Sequence, residues 1–237
     1  MERGLFFIMC ANFKIRKLRF IIFILFASAF FPLGCTQTLN IKITEIGNYP
    51  RPLIEPLPLN AGVYYRNDLR TYKTIQENFM ADPSAPQYGL TRITKIQLGE
   101  ANIALFDFLL SHAFENLTSI KTFPNESENL KSIDLIVEPT ISNYVYSEHT
   151  VFFAPGAHVR IEYTINFYSP DGLQISTWTI SGESSKYITV PGVLWYSPHG
   201  FSAELTQLAM QEVATQFLVD LCNQSGINKL LNKPCDQ

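Results

Sequence analysis

The side chains with chemistry to offer are few and scattered. Four histidines are present, His112, His149, His158 and His199, and none has a second ligand at metal spacing. There is no Gly-x-Ser-x-Gly elbow, no Gly-rich phosphate loop and no His-Glu-x-x-His pair. Asp107 and Glu115 fall on the polar flank of an expected helix, and Asp134 and Glu138 on one face of an expected strand. Without an acid or base partner these carboxylates read as solvated. The sequence therefore supplies no catalytic set, no metal site and no cofactor. Cysteine remains, at Cys10, Cys35, Cys222 and Cys235. No paired Cys/His cluster accompanies any of them, which argues against zinc.

Cys35 stands out by its position. Lys14, Arg16, Lys17 and Arg19 form a basic block, Phe20 to Leu33 is an almost purely apolar run, and Gly34-Cys35 closes it. A charged segment, a short apolar segment and a small residue describe a secretory signal peptide. The run is too short for a mature membrane-spanning helix, which needs roughly 20 residues, and Pro32 would break it. Met9 gives a cleaner start than Met1, because the apolar stretch Leu5 to Ala11 precedes the basic block.

The ending Pro32-Leu33-Gly34-Cys35 resembles the bacterial lipobox. Gly34 and Cys35 match it, and Pro32 stands where leucine is usual. The resemblance implies cleavage before Cys35 and fatty acylation of that residue, so that residues 1–34 are a signal peptide. Thr36 follows, and the absence of aspartate there implies an outer-membrane, periplasm-facing address. The alternative is an ordinary signal peptide or an uncleaved anchor. Outside the cytoplasm disulfides persist, so a Cys222–Cys235 bridge is expected to pin the tail to the last helix. Closing so short a loop is worth about 3 kcal/mol; two free thiols are the alternative.

Five of the 18 basic and one of the 21 acidic residues lie in 1–34, which leaves 13 against 20, a net charge of −7. Nothing in that balance suggests nucleic acid, which calls for a basic stripe. The charged share of 16% is below the usual value of about 25%, as suits a domain that touches something else.

Residues 35–58, with Pro50, Pro52, Pro56 and Pro58, read as a semi-rigid tether in which Ile41 and Ile43 alternate as a short strand at most. The domain then spans 59–237. Leu59 to Arg66 has strand composition, 67–87 is polar, and Leu90 to Leu98 alternates. The spacing of Ile103, Phe106, Leu110, Phe114 and Leu117 predicts a helix over 99–120. Three antiparallel strands follow. Val159, Ile161, Tyr163, Ile165 and Phe167 share one strand face, and Pro170-Asp171-Gly172 is a hairpin turn. Pro139 marks an edge, a bulge or a bend. Leu205, Leu208, Ala209, Val213, Phe217 and Leu221 stripe a second helix opened by Ser202. The expected fold is α+β, a two-layer sandwich of mainly antiparallel sheet covered by two amphipathic helices. This order resembles the small periplasmic domains of outer-membrane assembly and lipid-transport auxiliary lipoproteins over Leu59 to Leu231, with no shared functional motif.

Two apolar loops remain, Thr150 to Gly156 and Ile188 to Tyr196. Tracing the meander puts both at one end of the sheet. Phe152, Phe153, Leu194, Trp195 and Tyr196 would then form an exposed patch for a partner protein or lipid, unless the loops fold over and close the core. The expected function is a non-enzymatic, membrane-anchored envelope lipoprotein serving as an accessory or assembly subunit of an envelope complex. The alternative is a module that binds lipid or another apolar ligand.

Overall fold

Residues 36–44, 49, 55–82, 85–124, 130, 132–151, 154–187 and 199–231 are described by a computed structural model. The strands are β1 (Thr36–Lys42), β2 (Leu57–Tyr64), β3 (Lys73–Asp82), β4 (Ala85–Gln97), β5 (Phe114–Ile120), β6 (Leu135–Val151), β7 (Ala154–Tyr168) and β8 (Gln174–Tyr187). The helices are α1 (Asn67–Arg70), α2 (Gly99–Ala113), α3 (His199–Asp220) and α4 (Ser225–Leu231), with a 3-10 turn at Leu221–Asn223.

The class is α+β, but the sheets are mixed where mainly antiparallel pairing was expected. One sheet has the order β1-β4-β3 and the other β5-β2-β6-β7-β8. β1 runs parallel to β4, and β2 runs parallel to both β5 and β6, whereas β3–β4 and the β6–β7–β8 meander are antiparallel.

β7 shows why the meander forms. Its odd-numbered residues from Val159 to Phe167 are fully buried, and their even-numbered neighbours face outward. Ser169–Gly172 then reverses the chain, with Gly172 at φ +84°, a conformation that a Cβ would penalise. The β2–β6 ladder stops at Val137, just before Pro139, and a bulge follows between Ile141 and Asn143. Proline thus sits where β6 no longer needs a donor on that side.

α2 buries Ala101, Leu105, Phe106, Leu109, Leu110 and Ala113. It ends earlier than its spacing predicts, because Phe114 turns to extended backbone (φ −123°, ψ 144°). Phe114, Leu117 and Ile120 keep a helical spacing in sequence, yet Asn116, Thr118 and Ser119 are weak helix formers and the segment pairs with β2 as β5. α3 buries Leu205, Ala209, Met210, Val213, Ala214 and Phe217 in the same core. A smaller cluster of Ile120, Ile133 and Ile136 lies apart from it, flanked by Tyr64, Phe123 and Tyr168.

Parts of the expected tether over 35–58 belong to the fold. Thr36 to Lys42 pair with Thr91 to Gln97, Ile41 and Ile43 are core residues, and Leu57 opens β2 from a buried position. Half-buried Tyr49 sets its ring 5.2 Å from that of Phe108. Among the described residues the fold therefore includes Thr36 to Lys42, ahead of residue 59.

Candidate functional site

The ends of β6, β7 and β8 define the apolar end of the larger sheet. β6 and β7 stay paired to Val151↔Ala154, and β8 ends at Tyr187 opposite Gly156. Most of the expected loop 150–156 is thus strand. Phe152 and Phe153 lie between the paired residues, and 188–198 connect Tyr187 to α3. Both apolar segments leave from one end of the sheet, opposite the Ser169–Gly172 turn. Phe152, Phe153, Leu194, Trp195 and Tyr196 themselves lie outside the described residues. At this end Tyr187 is 62% exposed. Beside it Lys186 pairs with Glu204 at 2.8 Å and lies over the Phe201 ring at 4.7 Å, which ties the start of α3 to β8.

β8 is an edge strand, and an open edge invites pairing with another chain. Here α3 occupies two of its donors. Ser181 N–H donates to Gln216 Oε1 at 3.1 Å and Glu183 N–H to Glu212 Oε2 at 2.5 Å. The outward face beside it carries Arg160, 2.9 Å from Glu183 and 3.6 Å from Glu162, with His158 3.7 Å from Glu183.

A second group of polar side chains is internal. Tyr163 donates to Asn102 Oδ1 at 2.7 Å, and Tyr65 donates to Asp107 Oδ1 at 2.7 Å. The Tyr144 hydroxyl shares a 2.8 Å hydrogen bond with Thr206, which in turn donates to the Ser202 carbonyl at 2.6 Å. Burial pushes the Tyr163, Tyr144 and Tyr65 phenols well above their ordinary range, and the Asp107 carboxylate adds to the effect at Tyr65. They stay protonated at neutral pH and act as donors, not as bases. The Asn102 amide nitrogen and the Thr94 hydroxyl are buried without a hydrogen-bond partner among the described residues.

The third group is on the opposite sheet face. Glu138, 6% exposed, accepts from Tyr168 at 2.7 Å and from Asn166 at 3.4 Å. Burial, then the hydrogen bond to Glu138 and its charge, push Tyr168 up to about 12. Tyr168 meets Phe123 edge-on at 4.8 Å and so closes the smaller cluster.

Asp107 and Asp134 are exposed, as expected, yet hydrogen-bonded, whereas Glu138, expected to be solvated, is buried: Asp134 accepts from the Asn60 backbone and side chain at 2.9 Å each. The partners lie far off in sequence, so the strand pattern alone carries no sign of them. His112 contacts the Phe108 carbonyl one turn back at 2.8 Å. Among the described residues no group of three His, Cys, Asp or Glu is placed to hold a metal ion, and no helix is long and apolar enough to cross a membrane. Cys222 is half-buried in the 3-10 turn after α3. Its expected partner Cys235 lies outside the described residues, as do Cys35 and the signal segment 1–34.

No family model matches the chain, and neither does any curated protein. Among solved structures it is similar to a minor lipoprotein from Acinetobacter baumannii, at 10% identity and a TM-score of 0.39, over 77% of this chain and 99% of that one. It is also similar to a protein described as a neuraminyllactose-binding hemagglutinin homolog from Helicobacter pylori, at 10% identity and a TM-score of 0.42, over 78% of this chain and 95% of that one. A protein described as a lipoprotein from Caulobacter crescentus matches at 10% identity and a TM-score of 0.31, over 55% of this chain and 80% of that one. At these scores neither an activity nor a topology is transferred.

Proposed function

We propose that the chain is a lipid-anchored, non-catalytic envelope protein of the outer membrane that works by contact, as an accessory or assembly subunit of an envelope complex. The observation that carries this reading is the meeting of two boundaries. The lipobox-like Leu33-Gly34-Cys35 ends one residue before β1, which starts at Thr36 and is paired along its whole length. Cleavage before Cys35 removes no residue of the paired strand and leaves the acyl group at the rim of the sheet. The engagement of Asp107, Asp134, Glu138 and the buried phenols with structural partners supports a role without chemistry of their own. The apolar segments at the end of β6, β7 and β8 are the proposed contact surface, through Phe152, Phe153, Leu194, Trp195 and Tyr196. A Cys222–Cys235 bridge belongs to the same reading, since it needs an oxidising compartment.

Metabolic labelling with a fatty acid tests the anchor. Wild type takes up label and Cys35→Ala does not; an unlabelled wild type overturns the proposal. Pull-down of the labelled protein then tests the role. A stoichiometric protein partner, lost in Phe153→Ser with Trp195→Ser, is the expected result, and co-purified lipid with no protein favours an apolar-ligand module.

A further inference from the structure

We infer that the chain dimerises through the outer side of β5: β5 of a second copy adds to it antiparallel, centred on Leu117, so that the two larger sheets continue as one. The inference goes beyond the anchoring reading and does not depend on it. β1 and β3 bound the smaller sheet, and β5 and β8 bound the larger. An edge strand presents backbone N–H and C=O groups that another strand can pair with, and folds blunt such edges with charged side chains, prolines, bulges or a covering element. β8, β3 and β1 are blunted in this way. α3 takes the β8 donors at Ser181 and Glu183. β3 carries exposed Lys73 and Glu77 and is held against β6 by Gln76 Nε2, which donates to the Tyr144 carbonyl at 3.4 Å. β1 carries Lys42, ion-paired to Glu100 at 2.8 Å.

β5 lacks these devices. It reads Phe-Glu-Asn-Leu-Thr-Ser-Ile, without lysine, arginine or proline, and the bulge in its ladder lies on the β2 side, between Leu57 and Asn60. Among the described residues β5 pairs with β2 alone. Glu115 and Ser119 on one face, and Asn116 and Thr118 on the other, are all exposed, so the rim is uncovered on both faces. The side chains fit a second copy of the same strand. An antiparallel pair centred on Leu117 uses the whole strand and sets Glu115 opposite Ser119, Asn116 opposite Thr118 and Leu117 opposite itself. No like charges meet, and the single charge of the strand faces a hydroxyl. Asn116 Nδ2 donates to Asn60 Oδ1 at 2.9 Å, and Asn60 Nδ2 to Asp134 at 2.9 Å. That chain of bonds holds the Asn116 side chain in place, with its own Oδ1 left to accept from Thr118 of the second copy. A strand of unrelated sequence would gain the same backbone bonds; the self-complementary cross-strand pairs are what select a second copy.

The test uses the full-length chain, produced in a lipoprotein-processing bacterium and held in a density-matched neutral detergent. Sedimentation equilibrium is expected to show a mass that moves from monomer to dimer as concentration rises. Ser119→Glu places a like charge opposite Glu115 twice in each dimer and is expected to raise the dissociation constant about 2- to 30-fold. Adding Glu115→Lys restores opposite charges at both places and returns the constant to the wild-type value or below. A monomer at every concentration overturns the inference, as does a dimer that Ser119→Glu leaves unchanged or that the double variant fails to restore. Amide exchange on the same samples should slow over 115–119 as the dimer forms. Equal protection there in the monomer would mean that the chain's own residues close this edge, and overturns the inference as well.

Discussion

Tyr163, in the middle of β7, donates a 2.7 Å hydrogen bond to Asn102 Oδ1 on the first turn of α2, and both residues are fully buried. The Tyr163 ring also meets Phe106 edge-on at 5.1 Å. One side chain therefore sets both the position and the rotation of the helix over the sheet. Tyr163→Phe keeps the ring contact and leaves both polar atoms of Asn102 unpaired. The expected loss is about 1–3 kcal/mol, read by urea unfolding. Adding Asn102→Leu removes the orphaned amide and is expected to recover part of that loss; a double variant less stable than the single one contradicts this account.

Gly182 on β8 is a second fixed point. A Cβ there would run into the carbonyl of Ala209 on α3. Gly182→Ala must push the helix away from the strand, at a cost of about 1–3 kcal/mol, and should loosen the Glu212 and Gln216 contacts to the β8 edge. The check is a lower Tm together with faster amide exchange at Ser181 and Glu183. Unchanged exchange would mean that α3 does not protect that edge.

The tyrosines make stability sensitive to alkali. The Tyr168 phenol rises from its ordinary 10.0 to about 12, through burial, the hydrogen bond to Glu138 and that carboxylate's charge. A folded-state value above the unfolded one means that the native state holds its proton more tightly. The resulting stability is complete below pH 10 and is lost as pH climbs from there through about 12. Tyr65, Tyr144 and Tyr163 shift in the same direction and add to the loss. Urea midpoints should be independent of these groups at neutral pH and fall steeply above pH 10, less so in Tyr168→Phe.

If β1 belongs to the fold, its apolar residues matter. Ile41 and Ile43 are 8% and 3% exposed. Ile41→Ala or Ile43→Ala is expected to cost about 2–5 kcal/mol, measured by thermal or urea unfolding. In a solvated tether the same changes would be silent.

What could be read from the sequence was whatever repeats locally. The alternation from Val159 to Phe167, the turn at Gly172 and the stripe from Leu205 to Phe217 each declare their element, although Leu208, counted in that stripe, is 43% exposed. β3 escapes notice because its sheet is half solvated: Ile75 faces water, so no clean period survives. β5 misleads, since Phe114, Leu117 and Ile120 keep a helical spacing while their neighbours break the helix. β1 is masked by the prolines that follow it. Parallel pairing depends on which strand ends meet, and no local period encodes that. Cys35 is legible as a motif, whereas Tyr163 and Asn102 are 61 positions apart and meet only through the fold.

The pairing of β1 also decides how the molecule bears load. A pull on Cys35 along the strand axis reaches β4 through seven successive register positions, Thr36↔Thr91 to Lys42↔Gln97, all strained together in shear. The same pull directed across the sheet would open them one at a time, beginning at Thr36. The protein is thus mechanically anisotropic, and β1 resists being pulled away best when its strands stand in line with the tension.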